Sequence, residues 1–487
     1  MEFVVWLLTE EMAPIMFGAL VLFLLCGYPV AFALAANGLL FALIGIELGL
    51  LQPALLQALP ERVFGIMRND TLLAVPFFTF MGLILERSGM AEDLLDTIGQ
   101  LFGSVRGGLA YAVIFVGALL AATTGVVAAS VISMGLISLP IMLRYGYDRR
   151  LASGVIAASG TLAQIIPPSL VLIVMADQLG RSVGDMYAGA LVPGLTLTAF
   201  YAAYVLLITI IRPQAAPALP PEARTLHGFA LLLRVITSLV PPLVLIFLVL
   251  GTIFIGIATP TEGGAMGATG ALVLALLRRR LGFDLLKQAI ETTAKLSSFV
   301  MFILIGSTVF GLTFRAVNGD LWVEHLLTSL PGGEIGFLIV VNLMTFLLAF
   351  FLDFFELAFI IVPLLAPVAE KMGIDLIWFG VLLAVNMQTS FMHPPFGFAL
   401  FFLRSVAPAS DYVDKVTGKL VARVTTGHIY WGAVPFVCIQ LIMVGIVILF
   451  PQLVLVGLNR PAAINPSDVR IEIPVPDDSE APPLVFH

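Results

Sequence analysis

The sequence predicts an all-α membrane protein with about ten transmembrane helices, two re-entrant hairpins and two broken helices. Three observations predict this class. Hydrophobic residues make up 60% of the 487 residues and charged residues only 11%, against roughly 25% charged in a soluble domain. Apolar stretches of about 20 residues, each long enough to cross a bilayer, recur along the whole chain. The chain also matches itself when one copy is shifted by 227 residues.

The apolar stretches give the elements in order. They cover 12–27, 28–50, 71–88, 108–140, 150–177, 183–211, 231–257, 262–277, 294–316, 335–367, 376–403 and 431–457. Two of them, 108–140 and 335–367, are too long for one crossing, contain a polar or acidic interruption and end in a proline. We therefore expect each to be a re-entrant hairpin that enters and leaves on the same side of the membrane.

Two other stretches carry a double proline at mid-membrane. Pro167-Pro168 lie in 150–177, and Pro394-Pro395 lie in 376–403. A double proline removes two backbone donors and clashes with the preceding turn. Because unpaired backbone groups are tolerated at membrane depth only where they line a cavity in the protein, both stretches are predicted to be broken helices beside such a cavity.

The 227-residue shift indicates an internal repeat. It places Pro140 on Pro367, Arg144 on Lys371, Gly146 on Gly373, Asp148 on Asp375 and Pro167-Pro168 on Pro394-Pro395. We count five crossings from the opening helix of the first copy (71–88) to that of the second (294–316), and an odd number inverts the second copy. Inverted repeats with broken helices at mid-membrane are typical of secondary transporters.

The repeat divides the chain into predicted units. These are N-terminal scaffold helices 1–70, a first repeat 71–182, scaffold helices 183–293, an inverted second repeat 294–408, a final transmembrane region 409–457 and a disordered tail 458–487. Lys and Arg are concentrated in the loops of one side, which is cytoplasmic by the positive-inside rule. Both termini are then predicted to be periplasmic.

Charge and motifs exclude several classes of protein. The net charge of −7 does not indicate a positively charged surface that would bind nucleic acid. There is no P-loop and no His-Glu-x-x-His motif, and the five histidines are scattered, so we find no ATP site and no catalytic constellation. Cys26 and Cys438 both lie in apolar runs and are predicted to be buried thiols rather than a disulfide.

The first candidate ion site pairs a hairpin turn with a helix break. The turn is Thr123-Thr124-Gly125, and Ser159-Gly160-Thr161 come shortly before Pro167-Pro168-Ser169. A broken helix presents unpaired carbonyls at the end of its first half and unpaired amides at the start of its second. Carbonyl and hydroxyl oxygens suit Na⁺, a hard cation, and amides suit a carboxylate. The alternative is helix packing, which small and hydroxyl residues also mediate.

The second candidate site lies in the other repeat. It pairs Asp353 and Glu356 with Asn386-Met387-Gln388-Thr389, ahead of His393-Pro394-Pro395. Acidic residues at membrane depth are costly and indicate function, although these two could simply cap or anchor the hairpin at the interface. His393 is expected to hydrogen-bond backbone carbonyls freed by the double proline, with a proton or substrate role as the alternative. Ser169 and Thr389 are the hydroxyls expected nearest the substrate.

A further motif, Thr259-Pro260-Thr261-Glu262, opens the stretch 262–277. Its order is that of a helix N-cap followed by a first-turn acid. We therefore expect a structural role there.

These motifs resemble the large membrane subunit of tripartite ATP-independent periplasmic (TRAP) transporters, the DctM family. The resemblance covers nearly the whole chain and is carried by Gly27-Tyr28-Pro29-Val30-Ala31-Phe32, Gly160-Thr161-Leu162 through Ile166-Pro167-Pro168-Ser169, Thr259-Pro260-Thr261-Glu262, and Asn386 through Val406-Ala407-Pro408. The last stretch, with Leu352-Asp353-Phe354-Phe355-Glu356, is similar to the branch usually labelled mannitol/chloroaromatic.

The resemblance implies Na⁺-driven uptake of a small organic acid, such as a 2-oxo acid, by an elevator motion of a transport domain in the bacterial inner membrane. It implies two partners, a small four-helix membrane subunit and a periplasmic substrate-binding protein, and no cofactor besides Na⁺ as the coupling ion. By position, Na⁺ would be held by Thr123, Thr124, Gly125, Ser159, Gly160 and Thr161 in one site, and by Asp353, Asn386, Gln388 and Thr389 in the other. The chain departs from the family in its first hairpin turn, which is usually richer in Ser and Gly.

Three other classes stay open on the sequence. A stand-alone Na⁺-coupled carboxylate carrier of the divalent-anion transporter type shares the hairpins and breaks but needs no binding protein. A membrane enzyme would need a cluster of catalytic polar residues at one depth. A channel would not need the repeat that alternating access uses. The sequence leaves the particular acid, the Na⁺ stoichiometry and the oligomeric state undetermined.

Overall fold

The computed structural model describes residues 6, 9, 11–124, 127–350 and 352–458, without the side chains of 121–124. The predicted tail, 458–487, lies almost entirely outside the described residues. The α-helices are α1 (Met12–Leu25), α2 (Val30–Glu47), α3 (Leu59–Met67), α4 (Asp70–Arg87), α5 (Met90–Leu101), α6 (Gly108–Thr124), α7 (Val127–Arg144), α8 (Arg149–Thr161), α9 (Leu170–Gln178), α10 (Val183–Ile211), α11 (Gly228–Phe254), α12 (Pro260–Leu277), α13 (Phe283–Ala316), α14 (Gly319–Thr328), α15 (Gly333–Leu348), α16 (Phe354–Ile360), α17 (Val362–Lys371), α18 (Leu376–Met387), α19 (Phe398–Val406), α20 (Thr426–Leu449) and α21 (Gln452–Leu455).

Short elements complete the chain. The 3-10 helices cover Pro53–Ala58, Leu162–Gln164, Pro213–Ala215, Pro221–Ala223 and Gln388–Phe391. Strands β1 (Tyr412–Val413) and β2 (Leu420–Val421) pair antiparallel, with Tyr412 opposite Val421.

The helices are those of a multi-pass membrane protein. By length and composition six described helices can cross a membrane, or up to eight if each of two bent pairs is one span. The predicted number of about ten crossings therefore stays a prediction. Several helices are longer than their apolar stretches: α13 begins at Phe283 instead of 294, and α7 continues past Pro140 to Arg144. A proline inside a membrane helix removes one hydrogen bond without ending the helix when its surroundings satisfy the freed carbonyl.

The prediction that both cysteines are buried is wrong. Cys26 and Cys438 are free thiols and both are exposed on the surface of the chain. In a membrane protein an apolar run faces lipid as readily as the protein core, so hydropathy does not predict burial.

The element boundaries follow the 227-residue register. Helix α7, moved by 227 residues, covers 354–371, which is the span of α16 and α17 together. The start of α8 at Arg149 moves to Leu376, the start of α18. The start of α9 at Leu170 moves to within one residue of the start of α19.

Two equivalent aspartates begin the broken helices. The Asp148 carboxylate accepts the N–H groups of Arg150 and Leu151 at 2.8 and 3.1 Å, and the Asp375 carboxylate accepts those of Ile377 and Trp378 at 3.0 Å each. A side-chain acceptor at the N-cap satisfies amides that the helix itself leaves unpaired. The same local chemistry therefore starts both helices.

Each broken helix is interrupted where the double proline lies. Between α8 and α9 the chain runs through 162–169, here called the first break, and between α18 and α19 it runs through 388–397, here called the second break. In both breaks the two prolines are joined by a cis peptide bond.

Helix α8 lies in the centre of the fold. Each of its residues from Leu151 to Thr161 is buried. It meets α20 where two glycines face each other: a Cβ on Gly154 would lie 2.1 Å from the Gly432 carbonyl oxygen, and a Cβ on Gly432 would lie 2.1 Å from that of Arg150. Small residues at a membrane helix crossing let the backbones touch, and this contact fixes the helix that ends at the first break.

The predicted cap at the start of α12 is confirmed. Thr259 Oγ1 accepts the Glu262 N–H at 3.3 Å, and Glu262 Oε2 accepts the Thr259 N–H at 2.8 Å. This reciprocal pair is a capping box. The Thr259-Pro260-Thr261-Glu262 motif is therefore explained by its structural role in starting α12.

Candidate functional site

A cavity of about 200 Å³ lies where the two repeats meet, and it is called the central cavity below. Its lining includes Val127 at the start of α7, Gln164 in the first break, Leu170 at the start of α9, Asp353 just before α16 and Phe391 in the second break. Both broken helices and both predicted hairpin segments therefore contribute to one space.

The end of α8 brings the first set of predicted residues together. Ser159, Gly160 and Thr161 are all buried, and Ser159 Oγ has no hydrogen-bond partner among the described residues. Thr161 Oγ1 donates to the Ala158 carbonyl at 2.8 Å. A Cβ on residue 160 would lie 2.3 Å from Cγ2 of Val131 in α7, so glycine allows the hairpin segment to lie directly on the end of α8.

The first break contributes Gln164 to the lining of the central cavity. Ser169 precedes α9, but its Oγ donates to the Gln164 carbonyl at 2.6 Å instead of capping the helix. Gln164 is 2% exposed and its side-chain oxygen has no described partner. Leu170 and Val171, the first residues of α9, line the same cavity. An uncapped helix N-terminus attracts negative charge.

The end of α18, which leads into the second break, is held to α15. Asn386 Nδ2 donates to the Asn342 carbonyl at 2.7 Å, and Thr389 Oγ1 donates to the Asn386 carbonyl at 2.6 Å. Ser390 is buried and its Oγ has no described partner.

The end of α8 and the start of the second break touch at equivalent positions. Gln388 Nε2 donates to Thr161 Oγ1 at 3.1 Å, and these residues are 227 positions apart. The side-chain oxygen of Gln388 is buried without a described partner. The sequence assigned Thr161 and Gln388 to separate sites, whereas the structure joins them.

Asp353 and Glu356 form a capping box at the start of α16. Asp353 Oδ1 accepts the Glu356 N–H at 2.9 Å, and Glu356 Oε2 accepts the Asp353 N–H at 2.9 Å. The capping role, weighed above as an alternative, is thus present. Among the described residues no ion pair compensates either carboxylate, and no hydrogen bond links Asp353 to Asn386, Gln388 or Thr389.

His393 does not make the hydrogen bonds expected of it. Both ring nitrogens are buried without a described partner. The ring instead stacks on Phe350 at a centroid distance of 3.9 Å and meets the edge of Phe346 at 5.3 Å. The prediction of bonds to freed carbonyls is therefore wrong. The ring packs onto the end of the first arm of the second hairpin, which a sequence cannot show.

The turn of the predicted first hairpin, at residues 123–125, lies mostly outside the described residues. Helix α6 ends at Thr124, while Gly125 lies outside the described residues, as do the side chains of Thr123 and Thr124. Their predicted role as Na⁺ ligands stays a prediction.

Sequence reasoning missed four polar side chains near the two breaks. Gln164, Ser390, and Asn342 and Thr345 of α15 each leave a buried oxygen without a described partner. Each is a polar residue inside an apolar stretch, and this pattern in the sequence could have marked it as a candidate site residue. Within the described residues no group of three or more His, Cys, Asp or Glu could hold a metal ion. The oxygens at the breaks are instead mainly hydroxyls and amides.

Our sequence reasoning found no Gly-x-Ser-x-Gly motif, a pattern typical of hydrolases, and this was wrong. Residues 180–184 read Gly-x-Ser-x-Gly. Ser182 is the N-cap of α10, and its Oγ accepts the Asp185 N–H at 3.3 Å. This serine therefore starts a helix.

A larger cavity, of about 820 Å³, lies away from these residues beside the α7–α8 turn and the β1–β2 hairpin. There Arg144 Nε contacts Asp414 Oδ1 at 2.9 Å. Burial raises the pKa of Asp414, but hydrogen bonds from Thr417 and Arg144 outweigh it and lower the pKa to about 2. None of the predicted site residues lines this cavity.

The comparison with protein families is decisive. The model described as "Tripartite ATP-independent periplasmic transporter, DctM component" matches residues 17–453. The chain belongs to this family. It is therefore a large permease component of a TRAP transporter, as the motifs predicted. The mannitol/chloroaromatic branch stays a prediction.

Relatives agree with this assignment. The chain is 30% identical over 358 residues to the C4-dicarboxylate TRAP transporter large permease protein DctM of Pseudomonas aeruginosa, which covers 73% of this chain and 82% of the relative. It is 29% identical over 438 residues to the sialic acid TRAP transporter large permease protein SiaM of Vibrio cholerae. This match covers 89% of this chain and 95% of the relative. Both relatives are named as large permease proteins of TRAP transporters.

A solved structure shares the fold. The crystal structure of the Alcanivorax borkumensis YdaH transporter matches with a TM-score of 0.57 at 16% identity, covering 83% of this chain and 90% of that one. At this identity the likeness concerns the fold alone.

Proposed function

We propose that this permease imports a small organic acid across the bacterial inner membrane, driven by a Na⁺ gradient. A periplasmic binding protein delivers the acid, and a small four-helix membrane subunit completes the transporter. The observation that carries the proposal is the hydrogen bond between Thr161 and Gln388. It joins repeat-related positions at the two helix breaks, next to a cavity that both hairpin segments also line.

Alternating access follows from the repeat. Two inverted copies offer two equivalent arrangements of one site, open to either side. In this proposal the two repeats, 71–182 and 294–408, form a transport domain that moves as an elevator, and 1–70 with 183–293 form the scaffold. About ten crossings and periplasmic termini belong to the same proposal.

The second Na⁺ site is supported by uncompensated charge. Asp353 and Glu356 place two carboxylates side by side, and no described cationic side chain pairs with either. An acid at the bilayer centre costs about 2.5–3.5 kcal/mol on insertion scales. A bound Na⁺ offsets this cost. In this proposal further oxygens come from Asn386 at the end of α18 and from Gln388 and Thr389 in the second break.

The first Na⁺ site is supported by buried oxygens. Ser159 Oγ has no described partner, and the end of α8 adds Gly160 and Thr161. A buried hydroxyl without a partner costs about 1–3 kcal/mol. A cation that takes the oxygen as a ligand removes that cost, and the hairpin turn at 123–125 is the expected source of the remaining ligands.

The test is uptake into proteoliposomes that hold this chain and its small-subunit partner. A labelled 2-oxo acid is supplied with purified binding protein, with and without an inward Na⁺ gradient. Uptake that needs both supports the proposal. Uptake that needs Na⁺ but no binding protein indicates a stand-alone carrier, and ohmic single-channel currents indicate a channel.

Asp353→Asn sharpens this test. Asparagine caps helices as well as aspartate does, so the variant keeps the cap of α16 and removes only the charge. An interaction with a charged group contributes about 1.5–3 kcal/mol of free energy, so losing it lowers Na⁺ affinity by about 10- to 150-fold. Asp148→Asn, which changes a cap outside the central cavity, is the matched control. Equal Na⁺ dependence in both variants contradicts a role for Asp353 in Na⁺ binding.

A further inference from the structure

The cavity of about 820 Å³ beside the α7–α8 turn has both basic and apolar walls, and it is called the basic cavity below. Three segments supply its lining: residues 143–149 at the α7–α8 turn, residues 218–223 ahead of α11, and residues 416–422 of the β1–β2 hairpin. Its volume lies within the roughly 300–1,000 Å³ of ligand sites. The function proposed above gives this cavity no role.

The walls of the basic cavity are tied to one another. The N–H of Asp148, in the α7–α8 turn, donates to the Ala215 carbonyl at 2.9 Å, which joins the turn to the segment that follows α10. Arg144, at the end of α7, contacts Asp414 of the β1–β2 hairpin at 2.9 Å. Contacts between the segments therefore build the cavity into the folded chain.

The basic cavity lies where three candidate membrane spans end. Helix α7 ends at Arg144, α10 ends at Ile211, and α20 begins at Thr426. Each of these helices is long and apolar enough to cross a bilayer. The ends of a spanning helix lie at the level of the lipid headgroups, so the cavity is at that level too.

The segments around the basic cavity carry an excess of positive charge. Residues 143–150, 212–224 and 411–423 contain eight Arg and Lys residues but four Asp and Glu residues, a net charge of +4 in a chain whose net charge is −7. Basic pockets between membrane helices attract anionic headgroups. By the positive-inside rule, this excess also predicts that the cavity faces the cytoplasmic leaflet.

Two cationic side chains of the lining have no anionic partner. Arg149 and Lys419 line the cavity, and neither forms an ion pair within the described part of the chain. The third cationic lining residue, Arg144, is matched by Asp414. Glu222 is the one acidic residue among the described lining residues. An anion in the cavity therefore has two cationic groups available to it.

Exposed apolar side chains adjoin these cations. Val413, Val416 and Leu420 of the β1–β2 hairpin are 61%, 69% and 71% exposed, and the last two line the basic cavity. Apolar side chains grouped on a surface and rimmed by polar residues mark an interaction site. Their position beside cations, at headgroup level, suits a ligand that has both a phosphate and acyl chains.

We propose that the basic cavity binds the headgroup of an anionic phospholipid. The phosphate lies between Arg149 and Lys419, whose side chains suit it because charge-assisted hydrogen bonds to phosphate are strong. The upper part of the acyl chains lies against Val416 and Leu420. This site goes beyond the proposed transport function, because it does not depend on which acid is carried or on how transport is driven.

Lipid binding to the full chain, purified in detergent, tests the proposal. Dioleoylphosphatidylglycerol is titrated and bound lipid is counted by native mass spectrometry, with dioleoylphosphatidylcholine as the lipid of the same chains and no net charge. Removing two basic side chains, Arg149→Gln with Lys419→Gln, should weaken phosphatidylglycerol binding about 30-fold. Phosphatidylcholine binding should change by less than about twofold. An unchanged affinity for phosphatidylglycerol overturns the proposal.

Two further double variants are the controls. Arg62→Gln with Lys287→Gln removes the same two kinds of charge from exposed residues outside the cavity, and should leave phosphatidylglycerol binding within about twofold. Arg149→Lys with Lys419→Arg keeps both charges and should bind within about threefold of the native chain. Gel-filtration profiles check that each variant folds. Equal losses in the cavity variant and the outside variant overturn the placement of the headgroup.

A soluble phosphate compound is the other source of the same chemistry. Glycerol phosphate and ATP, each equimolar with the lipid, should not displace phosphatidylglycerol, because neither has acyl chains. Leu420→Ser should weaken phosphatidylglycerol binding about fivefold, whereas Leu449→Ser, which changes a residue 70% exposed at the end of α20, should leave it within about twofold. Displacement by glycerol phosphate or ATP overturns the assignment to a lipid. Uptake is not measured here, so neither result bears on the proposed function.

Discussion

Gly432→Ala should loosen the helix that carries the first break. A Cβ at this position of α20 lies 2.1 Å from the Arg150 carbonyl oxygen of α8. Ordinary contact begins at 3.4 Å, so the helices must separate by about 3.4 − 2.1 = 1.3 Å. Both atoms belong to the backbone or are fixed to it, and no side-chain rotation relieves the clash. A gap of roughly 0.5–1 Å already loses a quarter to a half of a dispersion contact.

The expected cost is about 1–3 kcal/mol, the range for overpacking a well-packed core. Gly445→Ala is the matched control, because it lies on the same helix and a Cβ there meets no atom within 4 Å. Both changes replace glycine by alanine in one helix, so their effects on helix propensity cancel in the comparison. The difference between the two variants isolates the crossing of α8 and α20.

The assay is the midpoint of heat-induced loss of the monodisperse peak in gel filtration, detected through a fluorescent tag. Thiol-reactive dyes are unsuitable because Cys26 and Cys438 are exposed in the folded chain. We expect Gly432→Ala to melt below Gly445→Ala and to show weaker Na⁺-driven uptake, since α8 ends at Thr161. Equal midpoints for the two variants would refute a backbone contact between α8 and α20.

Two further predictions concern other contacts. Thr161→Val leaves the Gln388 side chain without its acceptor and should destabilise the fold by about 1–3 kcal/mol, measured by thermal melting. The double variant Thr161→Val with Gln388→Met removes both partners and should recover part of that stability. It should not recover Na⁺-dependent uptake, measured in proteoliposomes. Full recovery of uptake would contradict Na⁺ binding by Gln388. The pKa of Asp414 is held at about 2, below its usual 3.8, so the stabilisation that its charge gives to the β1–β2 hairpin is present above about pH 4 and is lost as the pH falls through about 2. Tryptic cleavage after Lys415, divided at each pH by the cleavage rate of an unstructured peptide, should therefore stay constant from pH 8 to pH 5 in the native chain and be faster at every pH in Asp414→Asn. A normalised rate that rises between pH 8 and pH 5 in the native chain would contradict this.

Much of the architecture could be read from local sequence. The helix starts at Asp148, Asp375 and Thr259 were predictable because capping depends on residues within one turn. The double prolines marked the breaks because proline removes backbone hydrogen bonds wherever it stands. The 227-residue register needed only the order of prolines, glycines and charges along the chain. The site could be placed near the breaks for the same reason.

The contacts within the site were decided by tertiary structure. Thr161 and Gln388 belong to different repeats, so no local pattern indicates that they meet. The stacking of His393 on Phe350 likewise depends on how α15 lies against the second break. Hydropathy also could not distinguish a residue that faces lipid from one in the core, because both environments are apolar. The sequence by itself therefore determined the elements, the repeat and the family, and the packing of the two repeats decided which oxygens and aromatic rings share one cavity.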